Sequence, residues 1–129
     1  MARPDLAPRL SPLALALAAA WPVAAWAQPA PGVLPQGGVV RHGTVNFDAS
    51  KANQLLIQQS TQRSIIHWQS FDIGRDATVR FQMPSAASSS LNRVSANTPS
   101  QILGALQSNG QVFLLNPNGI VFGQGAKVD

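Results

Sequence analysis

The sequence is divided into short apolar runs, rich in Val, Ile, Leu and Phe, that are separated by turn-forming residues. No run keeps the 3.6-residue period of an amphipathic helix. Most runs begin roughly eight to fourteen residues after the previous one, as in all-β proteins. One segment, Ser95 to Leu106, has a short helix after Pro99 as its alternative. The predicted strands are Thr44 to Phe47, Gln54 to Gln58, Ser64 to Trp68, Thr78 to Gln82, Ser100 to Leu106, Gln111 to Leu115 and Ile120 to Phe122.

Local patterns agree with this assignment. Thr78 to Gln82 alternates polar and apolar residues strictly, which places Val79 and Phe81 on one face of a strand. Gly, Asn, Asp and Pro favour turns because they tolerate or enforce the backbone angles that turns need. Such residues separate the runs at Gly74 to Asp76, Ser108 to Gly110 and Asn116 to Gly119.

Sandwich, barrel and solenoid architectures all share this spacing of strands. Two features favour the solenoid. The polar residues are mainly Asn, Gln, Ser and Thr, with only 11% charged residues, and uncharged side chains can stack along successive coils without repulsion. The sequence also stops at Lys127 to Asp129, directly after a strand and a turn, without a polar cap. We therefore expect these residues to be the first part of a longer protein.

The first 27 residues have the three regions of a secretory signal peptide. Basic residues come first, the apolar run Leu13 to Ala20 follows, and the small residues at Ala25 to Ala27 predict cleavage between Ala27 and Gln28. A membrane anchor is the alternative for Leu10 to Ala27. Prolines interrupt that run, however, and no basic stop-transfer cluster follows it, so cleavage is the favoured prediction.

Proline and glycine dominate the segment that follows, Gln28 to Gly38. Such a composition interrupts regular structure. We predict an extended leader that lies outside the core, with regular structure starting near Val39.

Four segments of the remaining sequence stand out by their motifs, in the order Val40 to Gly43 (VRHG), Ser64 to Gly74 (SIIHWQSFDIG), Leu91 to Val94 (LNRV) and Ser108 to Ile120 (SNGQVFLLNPNGI). Together they resemble the amino-terminal secretion domain of the filamentous haemagglutinin and high-molecular-weight adhesin family, the passengers of two-partner secretion. The haemagglutinin branch carries an earlier Asn-Pro-Asn-Leu motif, and Leu91 to Val94 stands in that region here. This difference favours the adhesin-like branch.

The resemblance implies a right-handed parallel β-helix of which this chain is the amino-terminal part. It implies residues 1–27 as a signal peptide read by the Sec translocon, 28–38 as a leader and 39–129 as the beginning of the secretion domain. The partner it implies is a dedicated outer-membrane transporter, whose periplasmic modules and barrel receive the chain on its way through the periplasm. The mature protein would lie at the cell surface or outside the cell, without a cofactor, and its downstream region would bind host or bacterial surface receptors.

The motif Asn116, Pro117, Asn118, Gly119 and Ile120 predicts a tight corner on physical grounds alone. Proline fixes φ at the second turn position, and Asn and Gly suit the two positions that follow. Asn116, which precedes proline, is held extended. The resemblance adds a second role, recognition by the transporter, and the two roles are compatible.

The secondary motif, Asn92, Arg93 and Val94, is interpreted in the same way. A buried asparagine bonded to neighbouring backbone is a more common arrangement than an asparagine that contacts a partner. We therefore expect Asn92 to be buried.

The sequence gives little support to catalysis, metal binding or nucleic-acid binding. His67 lies in an apolar strand, where packing is the expected role, and His42 is too distant in sequence to form a recognisable ligand pair with it. Asp72 and Asp76 flank a glycine turn, where Asp commonly bonds to local backbone. The formal charge of +4 is spread along the chain rather than gathered in a phosphate-binding patch. No metal site and no nucleic-acid partner are expected.

We therefore predict a non-enzymatic secretion module of a large surface or released exoprotein, with the whole protein a virulence-associated adhesin or haemagglutinin at the outer membrane. The alternatives are a secreted β-helical enzyme that acts on polysaccharide and a passenger that carries a distal cytolysin or toxin. Acidic and basic residues clustered on adjacent downstream coils would favour the enzyme, long degenerate repeats the adhesin, and a compact terminal domain the toxin.

Overall fold

The computed structural model describes residues 28–129, which form strands, turns and loops without a helix. Accordingly, no helix within these residues is long and apolar enough to cross a membrane. The predicted signal peptide, residues 1–27, lies outside the described residues. The strands are β1 Val39–His42, β2 Val45–Asp48, β3 Gln54–Gln59, β4 Arg63–Trp68, β5 Thr78–Gln82, β6 Ser89–Val94, β7 Ser100–Ile102, β8 Ala105–Ser108, β9 Gln111–Leu115, β10 Ile120–Phe122 and β11 Lys127–Val128.

The chain winds into a β-solenoid of about three turns. Sheet I has the strand order β1-β4-β6-β9, sheet II the order β11-β8-β5-β3-β2, and sheet III consists of β7 and β10. Strands of successive coils pair in parallel, β3 with β5 and β5 with β8 in sheet II, and β4 with β6 and β6 with β9 in sheet I. The first coil is connected to sheet III by one isolated bridge, in which Ile73 pairs with Ile102 of β7. The predicted parallel solenoid is confirmed.

Two antiparallel strands close the first coil. Strand β1 pairs with β4 and β2 pairs with β3, each running against the direction of the coil. The Phe47 ring packs edge-on against Trp68, with 5.4 Å between the ring centroids. Gly38 lies so close to Trp68 that a Cβ at this position would be 2.7 Å from the indole ring. The closed end therefore depends on a glycine as well as on apolar contacts.

The segment before β1 is part of this closed end. Leu34 packs against the core and Pro35 is buried. The Gln36 N–H donates to the Ser70 carbonyl at 2.9 Å, and the Gly74 N–H donates to the Val33 carbonyl at 3.0 Å. The prediction that Gln28 to Gly38 lies outside the core is therefore wrong for its second half, because the prolines allow an extended chain to run along the first coil.

Inward-facing side chains stack in columns along the solenoid axis. Leu55, Val79 and Leu106 occupy paired positions in β3, β5 and β8. Val79 and Phe81 are both fully buried, which confirms the strand face predicted for Thr78 to Gln82. The parallel register places each apolar side chain on its counterpart in the next coil, so the core is continuous along the axis.

The segment Ser95 to Leu106 is divided between two strands and has no helix. Strands β7 and β8 meet at a corner that contains Gly104, where a Cβ would lie 2.2 Å from the Gly74 carbonyl oxygen of the preceding coil. Only glycine permits two coils to approach so closely there. The helix alternative is therefore wrong, and the single predicted strand Ser100 to Leu106 is two strands on different sides of the solenoid.

Candidate functional site

The motif Asn116 to Ile120 forms the corner between β9 and β10. The Gly119 N–H donates to the Asn116 carbonyl at 2.9 Å, which closes a four-residue turn. The Asn118 N–H donates to Asn116 Oδ1, also at 2.9 Å. Gly119 has a φ of 101°, in the region that favours glycine. The predicted tight corner is confirmed.

Two asparagine side chains fasten this corner of the third coil to the second coil. Asn116 Nδ2 donates to the Thr98 carbonyl at 3.1 Å and to Ser100 Oγ at 3.0 Å. Asn118 Nδ2 donates to the Ala96 carbonyl at 2.5 Å. Both asparagines therefore satisfy backbone carbonyls that no strand partner reaches, in the loop between β6 and β7.

The five residues of the motif divide into an inner and an outer part. Asn116 is only 7% exposed, and Ile120 packs against the core. Pro117, Asn118 and Gly119 are exposed at the tip of the corner. A partner could contact the tip, whereas Asn116 acts by holding the tip in place.

Two of the three residues of the secondary motif lie inside the solenoid. Asn92 is fully buried, and its Oδ1 accepts a hydrogen bond from Trp68 Nε1 at 2.9 Å. Its Nδ2 donates to the Phe113 carbonyl of the third coil at 3.4 Å. Val94 is also buried, and Arg93 points outward. The buried, hydrogen-bonded role predicted for Asn92 is confirmed.

A chain of buried hydroxyl and amide groups continues from Asn92 toward the first coil. Asn92 Nδ2 donates to Ser90 Oγ at 3.2 Å, Ser90 Oγ lies 2.9 Å from Ser64 Oγ, and Ser64 Oγ donates to Gln59 Oε1 at 2.6 Å. The sequence predicts uncharged ladders and a buried Asn92, but it does not identify Ser90, Ser64 and Gln59 as further members of this chain. Ser64 and Ser90 occupy inward positions of β4 and β6, so the register of these two strands was the missing information.

The candidate acid and base residues do not gather into one site. His67 is half-buried in β4, and Asp72 Oδ1 accepts a hydrogen bond from the Gln101 N–H at 2.7 Å. Hydrogen bonds from Ser50 lower the pKa of Asp48, which lies on the surface beside the loop between β2 and β3. Within residues 28–129, no three His or Asp residues come together as potential metal ligands.

The described residues form a parallel β-solenoid in which each coil contacts its neighbours and the first coil is closed by antiparallel strands. The sequence profile of the TPS secretion domain matches residues 32–129, and the chain belongs to this family of two-partner secretion domains. It is the secretion-targeting module of a two-partner secreted exoprotein.

Relatives of known description agree with this assignment. The chain is 44% identical over 96 residues to a heme/hemopexin-binding protein of Haemophilus influenzae, and the match covers 74% of this chain and 10% of the relative. A second heme/hemopexin-binding protein of that species is 39% identical over 95 residues. The solved structure of the HMW1 secretion domain from Haemophilus influenzae superimposes with a TM-score of 0.66 at 42% identity, over 70% of this chain and 24% of that one. The chain spans about 10% of the length of the curated relatives it matches.

Proposed function

We propose that the corner Asn116 to Ile120 is the part of the secretion module that the outer-membrane transporter recognises. The observation that carries this proposal is the division of the motif. Pro117, Asn118 and Gly119 project at an exposed tip, while Asn116 is buried beneath them and fixes their orientation through two donated hydrogen bonds. A rigid exposed tip loses little conformational entropy on binding, which favours recognition.

The route of export belongs to the same proposal. Residues 1–27 would direct the chain to the Sec translocon and be cleaved between Ala27 and Gln28, after which the secretion module would meet the transporter in the periplasm. The mature exoprotein would then remain at the cell surface or be released. The segment Leu91 to Val94 would stabilise the fold and would not contact the transporter. Coil-by-coil burial of apolar side chains contributes on the order of 1.5–3 kcal/mol per Leu or Ile and would bias movement outward.

Secretion of variants tests the role of the corner. Cells that make the intact exoprotein and its transporter would carry Asn116→Ala together with Asn118→Ala, and the culture medium and the periplasm would be assayed by immunoblot. We expect a loss of secretion of about tenfold or more, because the tip loses both its orientation and its exposed amide. Normal secretion of the double variant would overturn the proposal.

A matched control separates recognition from folding. Asn109 is the other corner asparagine of the third coil, and it also fastens that coil to the second, since Asn109 Oδ1 accepts from the Met83 N–H at 2.8 Å and Asn109 Nδ2 donates to the Met83 carbonyl at 2.8 Å. Asn109→Ala removes two hydrogen bonds to the second coil at the opposite end of β9 from the motif. We expect secretion of this variant to stay near the wild-type level, and an equal loss in both variants would reduce the corner to a structural role.

The relatives suggest a second candidate function for the whole exoprotein. Both curated relatives are described as heme/hemopexin-binding proteins, so the intact protein could bind heme or hemopexin instead of acting as an adhesin. Retention of the secreted exoprotein on heme-agarose or immobilised hemopexin would support this candidate, and adhesion to host cells without such retention would support the adhesin. Neither relative is described as an enzyme, which favours a non-catalytic protein over the polysaccharide-acting enzyme.

A further inference from the structure

The outer face of sheet I carries an apolar row that crosses all three coils. Ile65 pairs with Leu91 and Leu91 pairs with Phe113, so the three side chains follow one another along the solenoid axis. They point outward, because the neighbouring positions Ile66 and Asn92 are fully buried inside. Phe113 is 54% exposed, and Ile65 and Leu91 are half-buried. Large contiguous apolar patches on a protein surface commonly mark interaction sites.

Positive charge flanks this apolar row. Arg63 and Arg93 point outward from β4 and β6, and Arg41 lies in β1 at the edge of the sheet. The four strands of sheet I contain no acidic residue. Within residues 28–129, none of the three guanidinium groups has an ion pair or hydrogen bond with another side chain. Sheet II differs, because Asn46 Nδ2 donates to Gln58 Oε1 at 3.0 Å on its outer face.

The spacing of the row fits one kind of secondary structure in a partner. Neighbouring strands of a sheet lie about 4.8 Å apart, and one turn of an α-helix rises about 5.4 Å. A helix that lies along the solenoid axis therefore places the side chains of successive turns opposite successive coils. Its apolar stripe matches the row, and acidic residues beside that stripe meet the arginines.

We propose that the outer face of sheet I is a docking surface for an acidic amphipathic helix of a partner protein. The stripe of the helix packs on Ile65, Leu91 and Phe113, and its carboxylates pair with Arg63 and Arg93. The side chains that carry this surface differ from those of the corner Asn116 to Ile120, so the proposal does not rest on recognition of that corner by the transporter.

Binding of a designed peptide tests this surface on the full-length secreted exoprotein. The probe is a fluorescent peptide of about 18 residues with a Leu stripe at helical spacing and Glu on both flanks, and its binding is followed by anisotropy. We expect binding that weakens at high salt, and we expect Leu91→Thr with Arg93→Glu to weaken it about tenfold or more. Phe113→Thr should have a comparable effect, since it removes the large, exposed aromatic side chain of the row.

The matched control lies on sheet II, where Leu56 and Arg80 are paired in the register as outward residues. Leu56→Thr with Arg80→Glu should leave peptide binding within about twofold of wild type. The proposal would be overturned by any of three results: an equal loss of peptide binding in the control, equal binding of a peptide with Lys in place of Glu, or no binding of the peptide to the wild-type protein. Binding to vesicles of anionic phospholipid without binding to the peptide would identify a membrane-binding face instead, and a dimer that Phe113→Thr abolishes would identify a second copy of the chain.

Discussion

The two ends of the solenoid are built from different interactions. At the first end, antiparallel strands close the coil and buried polar groups link it to the second coil. In the third coil, Val112 occupies the position of Ser90 and Leu114 that of Asn92, so apolar side chains replace the buried polar groups. Phe122, at the far edge of the described chain, is 59% exposed.

This difference indicates how register is specified along the axis. Hydrogen bonds are directional, so the buried hydroxyl and amide groups of the first two coils admit one alignment of their strands. Apolar contacts are non-directional, so Val112 and Leu114 contribute stability but constrain alignment less. In the third coil the directional contacts move to the corners, at Asn109 and Asn116.

The largest expected effect comes from the apolar core of the second coil. Phe81→Ala removes a fully buried ring and should lower the free energy of unfolding by about 3–5 kcal/mol. Phe113→Ala, at the outward position of the third coil, should cost less than about 1 kcal/mol because that ring is half in solvent. Urea unfolding followed by tryptophan fluorescence measures both values. Similar losses would remove the distinction between core and outer face.

A smaller effect is expected when the buried asparagine of the second coil is replaced by the residue that occupies its position in the third coil. Asn92→Leu copies the position of Leu114 and leaves Trp68 Nε1 without its acceptor. We expect a loss of about 1–3 kcal/mol, the cost of an unsatisfied buried donor. The exposed Asn97, replaced by Leu, serves as the control and should change stability by less than about 0.5 kcal/mol. A stabilised Asn92→Leu variant would show that the polar groups are dispensable.

The smallest expected effect is a pH dependence of stability at Asp48, the last residue of β2 in the closed first coil. Hydrogen bonds from Ser50 hold the pKa of Asp48 below its usual 3.8, so the folded state favours the carboxylate. The resulting stability is present above pH 3.8 and is lost as the pH falls through the lower folded value. Asp48→Asn should remove this dependence while leaving the rest of the acid transition in place. Acid titrations of the two proteins, monitored by circular dichroism, make the comparison, and superimposable curves would contradict it.

The sequence was informative where its signals are local. Alternation placed Val79 and Phe81 correctly, and turn residues marked the corner at Asn116 to Gly119. Strand β6 was missed because its inward side chains include Ser90 and Asn92, whose burial depends on hydrogen bonds to other coils.

Contacts between segments that are distant in sequence are not encoded in local patterns. Proline and glycine in Gln28 to Gly38 correctly indicated an irregular segment, but they carry no information about the surface on which it lies. Leu34 contacts the core only because the first coil offers that surface. The asparagines at 116 and 118 were identified from the motif, and their buried and exposed roles became distinct only in the structure.

The most direct test of the central claim is the location of the intact exoprotein in cells with and without the outer-membrane transporter. Immunoblots of medium, cell surface and periplasm would be compared, with a periplasmic marker as the control for lysis. A two-partner secretion module predicts exoprotein at the surface or in the medium only when the transporter is present, and retention in the periplasm without it. Equal export in both strains would contradict the account.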